Sequence, residues 1–265
     1  KSKLDILFVT NHNTLDGFKQ ITEYKNNHKK FLNLKIYPAV EITTDKEAHV
    51  LVYGLHEEIK SNQSIDEIID AAKSQDAVTI APHPFSLVDA LRDDSIKCDL
   101  FEVFNSSNVD IFSNKRAEIF AKENNLLTTV GSDSHIASTI GRCTNIIDAQ
   151  NNLDDVLYAM KKGKISIEKT EYVTHSEVLE HIRYKIENSK KYIDQYVKEF
   201  YPKYSWLFNM MYKSYMLTKK SIIWDVTFKI ALFGLRRISY KINFEGYDPY
   251  AFRTRDIPTI TKMLF

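Results

Sequence analysis

Cysteine is scarce in this chain of 265 residues: there are two, Cys98 and Cys143, and they do not form a CxxC pair. That excludes a disulfide framework and a cysteine-based zinc site, and fits a reducing, cytoplasmic setting. Long apolar runs are missing too. No stretch reaches the roughly 18 uninterrupted apolar residues of a spanning helix. The run Leu4 to Val9 behind Lys1-Ser2-Lys3 is too short for a secretory signal and contains Asp5. Internal repeats and low-complexity tracts are also absent. What is there is a hydrophobic content of 43%, enough for one large core or two smaller ones.

The net charge of +1 conceals a division. Residues 1–182 hold 20 Lys+Arg against 28 Asp+Glu (net −8), and residues 183–241 hold 13 against 4 (net +9). An acidic body therefore carries a basic arm, and such an arm suits an anionic partner: nucleic acid, phospholipid or an acidic protein.

Apolar runs and capping signals divide the body into alternating elements. Leu4 to Thr10, Leu34 to Ile42, His49 to Gly54, Ala77 to Ala81, Leu100 to Phe104, Leu126 to Val130, a segment within Thr139 to Ile147, and Lys164 to Glu168 read as strands. Helices are expected over Gly17 to Lys30, from the capping box Ser64-Ile65-Asp66-Glu67 to about Ser74, over Asn114 to Asn124, and over Leu153 to Lys162. The alternation predicts an α/β architecture with a largely parallel sheet. From Ser176 onward Ile182, Ile186, Ile193, Val197 and Phe200 recur at helical spacings and Pro202 breaks the run. Further helices are expected over Tyr204 to Lys219 and Ser221 to Tyr240, with the stretch from Tyr247 to Phe265 unassigned.

His12, Glu41, His49, His83, Asp133 and His135 each stand at the start or end of an expected strand. Taken singly, a histidine after a strand is more often a hydrogen-bonded loop residue than a ligand. Glu41 between Val40 and Ile42 is harder to dismiss, because a buried carboxylate without a partner is costly. Together, imidazoles and carboxylates make a donor set for borderline divalent metals, and the set is large enough for more than one ion. His28, His56, His175 and His181 read as structural or solvent-exposed. Ser132 and Ser134 have no base placed to activate them as nucleophiles.

Several of these residues sit in segments that resemble the PHP (polymerase and histidinol phosphatase) family. The segments are Val9-Thr10-Asn11-His12-Asn13-Thr14, Ala39-Val40-Glu41, His49-Val50-Leu51, Ala81-Pro82-His83-Pro84, Glu102-Val103-Phe104-Asn105 and Gly131-Ser132-Asp133-Ser134-His135, and the likeness spans roughly residues 4–168. The resemblance implies a distorted seven-stranded (βα) barrel, here over residues 1–172 with its first strand absent, followed by an all-helical extension over residues 173–265. It implies a hydrolase of phosphate mono- or diesters, nucleotides or oligonucleotide ends among them, using two or three divalent ions of zinc, manganese or iron. By the same resemblance Glu41 would bridge two ions and His49 and His83 would complete one site. Asp133 would serve another, and His12 and His135 would share the third. Such ions acidify water and clamp phosphate oxygens.

Two departures stand out. The family opens with a His-x-His strand followed by an Asp, and neither precedes Leu4, so an N-terminally truncated sequence is expected, with a degenerate protein as the rival. Asn11 replaces the usual Asp before the His; a neutral amide orients a neighbour but holds a cation less strongly. Arg142 reads either as a phosphate clamp or as a surface partner of Asp148. Asn105 reads as a substrate or ligand contact, or as a strand-end amide satisfying backbone groups.

The basic arm supports three readings. One is a helical lid packed on the body. The second is a single-stranded nucleic-acid surface, since lysines alternate there with tyrosines. The third is peripheral contact with an anionic membrane, to which Ile222 to Leu235 is suited in composition. A non-catalytic scaffold that binds through this arm is the alternative to the phosphoesterase.

Overall fold

In a computed structural model, residues 4–28, 31, 33–219, 221–254 and 256–265 are described. Lys1, Ser2, Lys3, Lys30, Lys220 and the side chain of Phe200, which figure in the readings above, lie outside them. The body runs β1 (Ile6–His12), α1 (Asp16–Asn26), β2 (Lys35–Thr43), β3 (His49–Tyr53), α2 (Ile65–Lys73), β4 (Val78–Ala81), β5 (Leu100–Asn105), α3 (Phe112–Glu123), β6 (Thr128–Gly131), β7 (Thr144–Ile147), α4 (Leu153–Lys161) and β8 (Ile165–Lys169). Each falls close to its expected position. The Ser64–Glu67 capping box is formed in both directions.

The strands do not close into the expected seven-stranded barrel. β1 to β6 make one curled sheet, a half-barrel, in simple sequential order, and β7 and β8 pair only with each other. Two local causes are visible. First, β2 returns into β3 through the turn at residues 44–48, too short for anything but an antiparallel pairing, and β3 is antiparallel to β4 as well. The sheet is thus mixed rather than largely parallel. Second, β6 is capped by a side chain: Asn145 accepts from Val130 N at 3.2 Å and donates to Val130 O at 2.9 Å. The amide occupies the groups a next strand would need, so the ladder stops there.

Both faces of the sheet are covered. Val40, Ile42, Val50, Val52 and Phe101 pack with Ile68 and Ala72 of α2 and Ala117 and Phe120 of α3. Leu51, Val78, Ile80 and Leu100 pack with Val156, Leu157 and Met160 of α4 on the other face. Cys98 and Cys143 are free thiols.

The rest of the chain is helical: α5 (His175–Asn188), α6 (Lys190–Phe200), α7 (Ser205–Thr218), α8 (Ile222–Phe244) and α9 (Ile257–Leu264). A break at Ser189 separates α5 from α6, and α9 forms where no period was legible. The second half of α8 is riveted to the body. Ser239 Oγ donates to Asp110 Oδ1 at 2.6 Å, Arg92 Nη1 donates to Asn243 Oδ1 at 3.2 Å, and Asn243 Nδ2 donates to Phe85 O at 3.3 Å. No helix among the described residues is long and apolar enough to cross a membrane.

Candidate metal centre

Strand register alone brings the first three groups together. His12, the last residue of β1, lies opposite Glu41 of β2, and His49, the first residue of β3, lies opposite Thr43, two residues beyond Glu41. Residues paired across a ladder share a face and side chains alternate along a strand, so His12, Glu41 and His49 project to the same side. His83 is added from beyond the end of β4, two residues after Ala81.

The result is a buried carboxylate ringed by imidazoles. Glu41 is 7% exposed; its Oε1 lies 2.9 Å from His49 Nδ1 and 3.3 Å from His83 Nε2, and its Oε2 lies 3.7 Å from His12 Nε2. Burial by itself would raise the Glu41 carboxyl. The close approach and charge of the His49 and His83 imidazoles outweigh it and hold the group well below the ordinary carboxylate range. His83 is the reciprocal case: burial disfavours its charge, but Glu41 in contact, with Asp133 and Glu102 nearby, lifts it to about 9.

One contact in this ring is not a conventional hydrogen bond. His49 Nδ1 is buried and lacks hydrogen-bond geometry to any described group, although Glu41 Oε1 is only 2.9 Å away. Two ligand-type atoms that converge without hydrogen-bond geometry suit a cation. Ligands bonded at about 2.0–2.1 Å in a tetrahedral shell stand roughly 3.3 Å apart, and the separations around Glu41 bracket that figure. His12, Glu41 and His49 each offer a ligand atom, all mutually within 4.8 Å. The residues present fit a borderline divalent ion.

Asp133 and His135 form the neighbouring pair after β6. His135 Nδ1 lies 3.0 Å from Asp133 O and 3.5 Å from Asp133 Oδ1, and Ser107 Oγ donates to Asp133 O at 3.1 Å. Both His83 (φ 31°) and Asp133 (φ 44°) adopt left-handed backbone. For residues with a Cβ this costs roughly 1–2 kcal/mol each, strain that clusters where geometry serves function.

Glu102 was missed as a site residue. It is 3% exposed, accepts from His83 N at 2.7 Å and from Asn105 Nδ2 at 2.9 Å, and burial pushes its carboxyl up to about 7. The signal was the one used for Glu41: a lone acid inside an apolar strand. Asn105 holds Glu102 and also accepts from Ser107 N at 2.8 Å, so its amide bridges a side chain and the backbone. Asn11 points to the other side of β1 from His12, its amide lying over Gly17. Ser132 is tied into the backbone, accepting from Cys143 N at 2.9 Å and donating to Cys143 O at 3.1 Å.

His181 was read with the structural or exposed histidines, and its place is more specific. Its ring, from α5, stacks on His135 at 4.5 Å with a buried Nε2 that has no hydrogen-bond partner among the described residues. Burial, with His135 and Lys185 adding to it, lowers its pKa to about 4. His175 packs edge-on against Phe228.

Arg142 pairs not with Asp148 but with Glu177 of α5 at 2.7 Å and Glu171 at 3.1 Å. Both ends of its guanidinium are therefore engaged. Arg142→Ala is expected to lower the melting temperature by about 2–4 °C and to leave KM for a phosphoester unchanged. Thermal unfolding and steady-state kinetics check this; a raised KM at unaltered stability would assign the arginine to phosphate instead.

Comparison with known proteins gives three findings. Residues 112–165, which span α3, the Gly131–His135 turn and α4, match the PHP-associated family. Over 113 residues, 42% of this chain, the sequence is 34% identical to an uncharacterized protein of Methanocaldococcus jannaschii, and it spans 63% of that relative's length. The crystal structure of PsfC from Pseudomonas syringae PB-5123 superposes with a TM-score of 0.50 at 18% identity, covering 69% of this chain and 84% of the other. That last likeness is one of fold. The family match contains Asp133 and His135 but not Glu41 or the histidines around it.

Proposed function

We propose that this protein is a metal-dependent phosphoesterase of PHP type, hydrolysing phosphate mono- or diesters. The observation that carries the proposal is the buried Glu41 carboxylate with three imidazoles around it, one of them at 2.9 Å without hydrogen-bond geometry. The match of residues 112–165 to the PHP-associated family supports it from another part of the chain.

Glu41 and His49 would hold one divalent ion, with His12 and His83 as the other imidazoles of the ring and Asp133 and His135 serving a second position. When bound, such ions supply acidified water at neutral pH and a counter-charge for phosphate oxygens. The chain's own contribution is orientation. Glu102 fixes the His83 backbone amide, which sets a strained residue in place. Asp133 O lies against His135 Nδ1, which holds that ring in place. The apolar cluster packed against α4 excludes water from this face of the sheet, which alone would favour the neutral carboxyl, so it is the imidazoles around Glu41 that keep the carboxylate charged.

The experiment is a substrate and metal panel on the full-length protein. After chelation and reloading with manganese, zinc or iron, it should hydrolyse an aryl phosphate, an aryl phosphodiester or a nucleoside bisphosphate, with activity lost again on chelation. Absence of turnover for every metal and ester would leave the non-catalytic scaffold as the reading.

A further inference from the structure

α8 changes character halfway along. Its second half is buried against the body through Ile238, Ser239 and Ile242, whereas its first half projects with Ile222, Ile223, Val226, Ile230 and Phe233 exposed. At 100° per residue these five side chains fall within about 100° of arc, so they form one continuous stripe rather than scattered surface residues. α7 repeats the arrangement: Trp206, Met210 and Leu217 are exposed at positions four and seven apart, on one side of the helix. Leu217 (86% exposed) stands in the last turn of α7, and Ile222 (74%) and Ile223 (65%) stand in the first turn of α8.

These stripes are not the inner surface of the bundle. That surface is separate and lines an apolar cavity of about 310 Å³ between α5, α6, α7 and α8, with Leu179, Ile182, Phe208, Met211, Trp224 and Phe228 among its walls. Each of the two helices therefore has an inner apolar side on the cavity and an outer apolar stripe that is exposed among the described residues. A continuous exposed apolar stripe on a folded protein marks an interaction site.

Charge selects the partner. Residues 205–237 contain six Lys or Arg against a single Asp, six minus one giving net +5. On the α8 wheel Lys229 borders one edge of the stripe and Lys213 lies beside the α7 stripe, while Arg236 and Arg237, farther along α8, each donate one guanidinium N–H to a backbone carbonyl, Val109 O and Phe265 O, and keep the rest of the fork for an anion. Apolar residues centred on a helix face with cations along the rim describe a helix that lies in the interface of an anionic bilayer, stems down and charges at the phosphates. Single-stranded nucleic acid fits less well, because Ile222, Ile223, Val226, Ile230, Met210 and Leu217 make up most of the two stripes and only Trp206 and Phe233 offer a flat face for bases.

We infer that the outer stripes of α7 and α8 dock on the surface of an anionic membrane, inserting Leu217, Ile222, Ile223, Ile230 and Phe233 at the headgroup boundary. Neither helix is long and apolar enough to span the bilayer. Docking would hold the body, through the anchored half of α8, at a fixed distance from the lipid surface.

Vesicle co-sedimentation tests this with the full-length protein. Binding to phosphatidylcholine vesicles containing phosphatidylserine should exceed binding to pure phosphatidylcholine by about ten-fold or more and should weaken as salt rises. The triple variant Ile223→Ser, Ile230→Ser, Phe233→Ser alters exposed side chains only and should keep the wild-type circular dichroism and melting temperature while losing at least about ten-fold in vesicle binding. Lys229→Glu with Arg237→Glu should abolish the preference for phosphatidylserine. Equal binding by the triple variant would overturn the inference. So would failure of the wild type to bind either vesicle, or a wild-type dimer in light scattering that the triple variant converts to monomer, which would make a second copy the occupant.

Discussion

Glu41→Gln is expected to leave the protein folded and to remove its metal and its activity together. The substitution keeps the shape of the side chain and replaces the carboxylate that lies 3.7 Å from His12, 2.9 Å from His49 and 3.3 Å from His83. Loss of a group that merely orients a ligand costs about 10–100-fold in metal affinity; loss of the central anionic ligand should exceed that, and turnover should fall by at least about 10³-fold. Metal content after gel filtration and kcat under saturating metal measure the two effects. The metal-free protein gives a third. His83, lifted to about 9 by its carboxylate partners, contributes stability that is fully present below its ordinary value of 6.5 and is lost as pH rises through about 9. In Glu41→Gln the main cause of that lift is gone, so the decline in stability over this window should shrink. An unchanged pH profile with retained metal would show that Glu41 is not the centre of the site.

Gly131→Ala should be the most damaging single change of volume in the body. A Cβ at position 131 would stand 1.8 Å from Glu102 Oε1, so something must move. A flexible side chain would normally give way cheaply, but Glu102 is buried and its other oxygen holds His83 N and Asn105 Nδ2. Displacing it strands two buried donors at about 1–3 kcal/mol each. The expected outcome is a loss of about 2–5 kcal/mol in denaturant unfolding, with a metal-binding defect because the His83 backbone is released. A double-mutant cycle identifies the cause: once Glu102 is cut back to Ala, adding Gly131→Ala should cost little more, a non-additive result that independent sites do not give.

These two residues also show what could be read without coordinates. Glu41 was legible because an acid between two buried aliphatic residues needs a cation or donors, and His12, His49 and His83 were legible as strand-end histidines. What drew them together was register, which a countable turn length sets between β2 and β3 but which the crossover through α1 leaves open between β1 and β2. Glu102 obeyed the same burial argument as Glu41 yet was passed over, since its partners are a backbone amide and an asparagine rather than a set of histidines. Closure of the sheet was not legible. It depended on whether β6 would offer its edge to β7, and a single side chain, Asn145, decided that by taking both Val130 backbone groups. Nor was the place of His181, because helical periodicity says which residues share a face but not what that face meets. In α8 one period runs from end to end while its halves have different surroundings, one riveted to Asp110 and Asn243, the other open.

The central claim is that a divalent ion sits on Glu41. Anomalous diffraction from crystals of the protein loaded with manganese locates it directly. The expected result is a peak about 2.0–2.3 Å from a Glu41 carboxylate oxygen and from at least two of the His12, His49 and His83 nitrogens. Manganese bound only at surface carboxylates, with the Glu41 ring held together by hydrogen bonds alone, would contradict it.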